Sequence, residues 1–185
     1  MIKKNFIIIV LVLLSSIVNA VKIDGVSFKK EYTLGKQKLL LRGYSTLNYM
    51  LFIKAYTGAF YLKSEIASDQ ALSETPRIIQ LYYFHKISAA DFRNATIEMI
   101  KKNTTAVEFQ KIKDQVDTFN GLYKDVKPGD RYTASYLPGH GTTLYLNKEA
   151  LGTIKGSEFS KAFFSIWIGE EPIDEKFRDR LLGKK

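Results

Sequence analysis

Cysteine is absent from all 185 positions. No disulfide can brace the chain, so its fold must be held by its core alone, and a lipid carried on cysteine is excluded as an anchor. Histidine is nearly absent: His85 and His140 stand far apart, with no carboxylates at ligand-like spacing, so neither a metal site nor a cofactor is expected. There is no nucleophile elbow, which needs a serine between glycines ahead of a helix, and no other motif that would anchor a serine-hydrolase triad. Repeats, linkers and low-complexity segments are also missing. The basic residues are scattered rather than bunched, which removes nucleic acid from the expected partners.

One long apolar run is present, at the start. Lys3 and Lys4 precede the unbroken stretch Phe6 to Leu14, and Val18-Asn19-Ala20 offers small residues for cleavage. This is the layout of a secretory signal peptide over residues 1–20, since the run is too short to span a ~30 Å hydrocarbon core comfortably. The remainder, 21–185, reads as one domain. With no bridge and no lipid, a soluble periplasmic protein is the expected product. The full chain carries +9; losing Lys3 and Lys4 with the leader leaves +7. Such a surface allows a weak contact with anionic membrane headgroups, and the oligomeric state stays open.

Hydrophobic residues make up 45% of the chain and aromatics 13%, enough for one real core. VSFKKEYTL and KQKLLLRG flank Leu34-Gly35-Lys36, which predicts a hairpin. Residues 50–63, MLFIKAYTGAFYLK, read as a long strand buried on much of both faces, and RIIQLYYFHK reads as another. Ser88 is set to cap a helix, with Asp91 three residues on; Phe92, Ala95, Met99 and Ile100 then share a face. Phe109, Ile112, Val116 and Phe119 mark a second helix over 105–121. DRYTASYL, TTLYLN and EALGTIKG return to strands. Ser157 is expected to cap a helix striped with Phe159, Ala162, Phe163, Ile166 and Trp167, and a short helix ended by Gly183 follows. The sum is an α+β domain, an antiparallel sheet with helices on one side.

The segment Pro138-Gly139-His140-Gly141 has the glycines of a phosphate-cradling loop, but such loops need a helix behind them. Here TTLYLN continues as a strand. Pro138 can fix φ, and Gly139 or Gly141 can take positive φ, so the segment is expected to be a hairpin turn with His140 at its tip.

Residues 129–183, from GDRYTASYLPGHG through GTIKG and IWIGEEPID to LLG, closely resemble the C-terminal half of bacterial chalcone isomerase-like proteins, and FIKAYTGAFYLK resembles the long strand of that family. The resemblance implies an open-faced β-sandwich, its large antiparallel sheet covered on one side by helices. In the plant enzymes of this fold, a cleft between sheet and helices closes a flavanone ring; fatty-acid-binding relatives use the cleft without isomerising anything. The polar set of the enzymes is not matched. Tyr56 stands two residues after Lys54, where the enzymes carry threonine. Phe92 and Met99 take the places of a tyrosine and an asparagine, and Ile166 that of a serine or threonine. Arg42 is the candidate for an arginine ahead of the long strand, although its spacing to Lys54 does not match cleanly; an ordinary surface arginine is the alternative.

Placed donors and a stabilised phenolate are what ring closure requires, and apolar side chains replace them here. The expected function is therefore an exported, non-catalytic protein that binds a small hydrophobic ligand such as a fatty acid, with Arg42, Tyr56, Phe92, Met99 and Ile166 as its binding residues. Two alternatives stay open: an isomerase- or lyase-type enzyme of unknown substrate built around Tyr56, Arg42 and other tyrosines, and an envelope interaction protein whose core these same residues simply fill.

Overall fold

A computed structural model describes residues 20–49 and 53–184. The leader read over residues 1–20 lies outside these residues but for Ala20, as do positions 50–52 of the long aromatic strand. The first strands, β1 (Ala20–Ile23) and β2 (Val26–Lys29), form a separate two-stranded ribbon. Seven more strands make one antiparallel sheet in chain order: β3 (Glu31–Leu34), β4 (Gln37–Tyr49), β5 (Ile53–Leu62), β6 (Arg77–Tyr83), β7 (Arg131–Leu137), β8 (Gly141–Leu146) and β9 (Glu149–Ile154). The helices are α1 (Ala89–Lys102), α2 (Ala106–Asn120), α3 (Ser157–Ile168) and α4 (Glu175–Leu181).

Alternation along the strands sorts side chains onto two faces. Phe60, Leu62, Ile79, Leu81, Tyr83, Tyr132, Ala134 and Leu144 join the helices in the main core. Ala59, Tyr61 and Ile78 point the other way and pack with Leu39 against Ile23, Val26 and Phe28 of the ribbon. At about 1.5–3 kcal/mol for each large apolar side chain buried, the main cluster dominates stability, and the smaller one fastens the ribbon. The ribbon is a departure from the sequence reading, which ran Val26–Lys29 into the hairpin; only Glu31–Leu34 pairs with β4. A two-residue turn at Asp24 and Gly25, both with positive φ, sends β2 back along β1.

The caps follow from local chemistry. Ser88 Oγ accepts from the Asp91 amide while the Asp91 carboxylate accepts from the Ser88 amide, a reciprocal box that starts α1. Thr105 and Glu108 do the same for α2. Before α3 the capping position is Gly156, with φ +109°, and Ser157 is the first helical residue without a capping bond. Ser157 is therefore not the cap expected from its type: a left-handed backbone at 156 favours glycine. The hairpin turn is as expected. Leu137 O accepts from the His140 amide at 2.9 Å, Gly139 has φ +77°, and Pro138 precedes it, the pattern of a type II turn. His140 is exposed at its tip.

Arg77 is the one charged side chain among the largest fully buried ones. It donates to Ala71 O, Ser73 O and Ser160 Oγ at 3.0, 2.7 and 2.8 Å and lies against the rings of Tyr136 and Phe164. These bonds tie the 64–76 segment and α3 to the sheet.

Candidate ligand site between the sheet and the helices

Four of the five residues singled out in the sequence meet in one place. Tyr56 on β5, Phe92 and Met99 on α1, and Ile166 on α3 line a cavity of about 200 Å³ between sheet and helices. Phe92 and Met99 are seven residues apart, two helical turns, and so share the stripe that α1 turns toward the sheet. Tyr56 reaches the cavity because residues 56, 58, 60 and 62 of β5 face the helices, a phase that puts Thr57 on the opposite face, where its hydroxyl lies 2.8 Å from Thr46 Oγ1.

The fifth residue, Arg42, does not belong to this lining. Leu41 pairs with Tyr61 and Gly43 with Phe60, so Arg42 is the extra residue of a β-bulge. A bulge re-aims its side chain: Arg42 Nη2 donates to Ser68 Oγ at 2.9 Å, and Ser68 Oγ donates to Leu182 O at 2.9 Å. The guanidinium thus serves the end of α4, where unpaired carbonyls favour a cation. The irregular spacing noted between Arg42 and Lys54 is consistent with this bulge.

Five further aromatic rings stand in the wall, those of Tyr83, Tyr123, Tyr132, Phe163 and Trp167, none of them among the five residues singled out. Phe92 stacks on Tyr123 at a centroid distance of 5.3 Å and meets Tyr83 and Tyr132 edge-on. Tyr56 meets Tyr83 and Phe177 edge-on. Trp167 Nε1 donates to the Tyr56 hydroxyl at 3.3 Å. The signal for Tyr83 and Tyr132 lay in the alternation of RIIQLYY and RYTASYL, which sets them on the helix-facing side. Nothing local marked Tyr123, which follows α2 and reaches the site through tertiary packing alone.

The hydroxyls are mostly engaged. Tyr123 pairs with Thr96 at 2.8 Å, and Tyr132 bridges the amide and carbonyl of Lys124 at 2.8 Å each. The Tyr83 hydroxyl makes no hydrogen bond to another described group. Burial pushes the phenols of Tyr56, Tyr83 and Tyr123 up, well above their ordinary range; in Tyr83 the neighbouring phenols add to the effect. None can serve as a phenolate base near neutrality. Among the described residues the only ionisable group on the lining besides tyrosine is Asp91, exposed at the rim with Ala95 and Ile173. Its carboxyl is held below the ordinary value, chiefly by the hydrogen bond from the Ser88 side chain. The site is thus an apolar, ring-walled slot with an acidic rim and, among the described residues, no cation on its lining.

A family model described as chalcone isomerase-like matches residues 20–183. No curated protein matches the chain in sequence. Among solved structures, a fatty-acid binding protein of Arabidopsis thaliana superposes with a TM-score of 0.71 over 88% of this chain and 95% of that one, at 17% identity. At that identity the likeness is one of fold.

Proposed function

The chain belongs to the chalcone isomerase-like family, and from that premise we propose that it is a non-catalytic carrier holding a small hydrophobic ligand of the fatty-acid class in the slot between sheet and helices. The observation that carries this reading is the slot itself: about 200 Å³ of space walled by Tyr56, Phe92, Met99, Ile166 and their aromatic neighbours. An apolar cavity of ~150 Å³ accommodates benzene, so this one suits a ring or an acyl segment of roughly eight carbons. Burying such a segment contributes about 6 kcal/mol at ~0.8 kcal/mol per methylene. A longer chain extends past the rim at Asp91 and Ile173. The fatty-acid binding protein that shares the fold supports this ligand class.

The reading against catalysis rests on chemistry. Closing a ring or moving a proton needs a base near its working pKa or a placed cation. The slot offers phenols shifted upward and a single exposed carboxylate whose hydrogen bonds belong to the cap of α1. The same lack of an interior cation sets the ligand's direction: a carboxylate drawn inside would be desolvated without a partner, so the alkyl end enters and the headgroup stays at the rim.

Octanoate binding followed by calorimetry tests the site. Met99 is 7% exposed and faces the slot, so Met99→Trp fills it and should abolish binding while the melting temperature stays close to that of the parent. Binding that survives the substitution would place the ligand elsewhere; no binding of any acid from six to eighteen carbons would remove the carrier reading. Export to the periplasm through cleavage after Ala20 belongs to the same proposal. The intact mass of protein recovered from the envelope reads it directly, and a mass that retains residues 1–20 would rule out cleavage.

A further inference from the structure

The sheet face opposite the helices is covered only in part. Over β4 to β6 the ribbon seals it with Ile23, Val26 and Phe28. Beyond β6 the character changes: Gln80 on β6 stands opposite Thr133 on β7, which stands opposite Tyr145 on β8. This polar row floors a groove of about 610 Å³, bounded by the ribbon and β3 on one side and by the β8–β9 turn on the other.

Arg131 is the fixed point of the groove. Its guanidinium lies 4.5 Å from the Phe28 ring centroid and donates to Gln80 Oε1 at 3.1 Å and to Ser27 O at 3.2 Å. Those bonds take two of its five N–H groups. The Gln80 amide donates to the hydroxyls of Tyr32 and Thr133 at 2.8 and 3.1 Å, leaving the protons of both hydroxyls free for a ligand. Beside them the Tyr61 hydroxyl is buried without a partner among the described residues, its ring edge-on to that of Tyr32 at a centroid distance of 4.9 Å. Lys29 and Lys148 also line the groove, and no aspartate or glutamate does. Among the described residues no carboxylate pairs with Arg131.

A purely structural role for Arg131, pinning the ribbon to the sheet, accounts for the ring contact and the bond to Ser27. It does not account for two further lysines around the same groove, for the want of any acid there, or for hydroxyl protons left without acceptors. A half-buried cation lacking a counter-ion, set among hydroxyl donors, is what an anion with polar groups on its body would find. We infer that the groove is a second binding site, separate from the apolar slot, for a small hydroxylated organic anion: Arg131 grips its carboxylate or phosphate, with Lys29 and Lys148 adding attraction, and the row from Gln80 to Tyr145 meets its hydroxyls.

The test is an NMR titration of isotope-labelled protein with glucuronate, glucose 6-phosphate and glucose as probes. At least one of the two anions should give saturable shifts confined to β6–β8 and the Gln80 side-chain amide, while glucose gives none; which anion binds tells carboxylate from phosphate. Arg131→Gln should weaken that binding by about tenfold or more, and the exposed Lys148→Gln by about two- to fivefold, with octanoate binding in the slot unchanged. No saturation by either anion at ~10 mM, or equal shifts with glucose, overturns the inference. Should Arg131→Gln fail to fold, Lys148→Gln decides alone, and unaltered affinity in that variant overturns it as well.

Discussion

At the scale of single residues, direction of entry is the sharpest consequence of the slot. The Tyr83 hydroxyl makes no hydrogen bond among the described residues, and Asp91 has a carboxylate at the rim. With the alkyl end inside, Tyr83→Phe should leave octanoate affinity within about twofold and stability unchanged or slightly raised, because no hydrogen bond is lost. Asp91→Asn keeps an acceptor for the cap but removes a like charge, so octanoate should bind about two- to fivefold more tightly while methyl octanoate is unaffected. Parallel calorimetry of acid and ester reads both; a tenfold loss in Tyr83→Phe would show the headgroup inside. Residue by residue, the sequence was legible where one helix or strand settles the matter. Phe92, Met99, Tyr56 and Ile166 come from the resemblance to the chalcone isomerase-like family; helical spacing and strand phase then account for Phe92, Met99 and Tyr56 sharing one side. Arg42 was not legible, because a bulge is decided by the pairing of two strands and β4 alone does not show it. Tyr123 was hidden for a related reason: its place in the wall depends on how α1 and α2 pack.

Elements meet on glycines in this molecule. A Cβ built on Gly43 would lie 2.0 Å from Arg180 O, and one on Gly58 would lie 2.6 Å from the Phe177 ring. Both positions seat α4 against β4 and β5, and Phe177 in turn backs Tyr56. Gly43→Ala therefore cannot be absorbed by a side-chain rotation; backbone must move, at a cost of about 3 kcal/mol. Urea unfolding should show a lower midpoint, and octanoate affinity should fall in parallel because one wall of the slot shifts. A parent-like midpoint would mean that α4 is not seated this closely. The order and type of the large elements were plain in the sequence, since period-2 and period-3.6 patterns alternate cleanly and the cap at Ser88 and the turn at Pro138-Gly139 punctuate them. The ribbon was not plain: Val26 to Leu34 reads as one run of strand, and only the packing of Phe28 beneath the sheet divides it.

For the molecule as a whole, the distribution of buried phenols sets the alkaline limit. Burial raises Tyr56, Tyr61, Tyr83 and Tyr123 well above their ordinary range. A group with a raised folded value stabilises the fold in full below its unfolded value, about pH 10 for tyrosine, and that contribution is lost as the pH climbs through the folded one. Arg77 acts in the opposite sense: burial lowers it to about 10, so its linkage favours the folded state as the pH passes that point. Burial lowers Arg131 too and raises Tyr132 and Tyr136, so among the described residues six raised phenols outweigh two lowered guanidiniums. Thermal melts should hold steady from neutrality to about pH 10 and fall above it, with tyrosinate absorbance rising in step with unfolding; gradual ionisation of these phenols in the folded protein would contradict the burial described. The seating of α4 on Gly43 also bears on how the chain reaches its fold. Strand β4 is near one end of the described chain and α4 near the other, so their junction is a contact of very high sequence separation, of the kind that slows folding. Until it closes, the back of β4 and the aromatic floor around Tyr56 stand bare. The interval before that closure is when the protein is most exposed to aggregation, and it is then that a holding chaperone would have surface to grip.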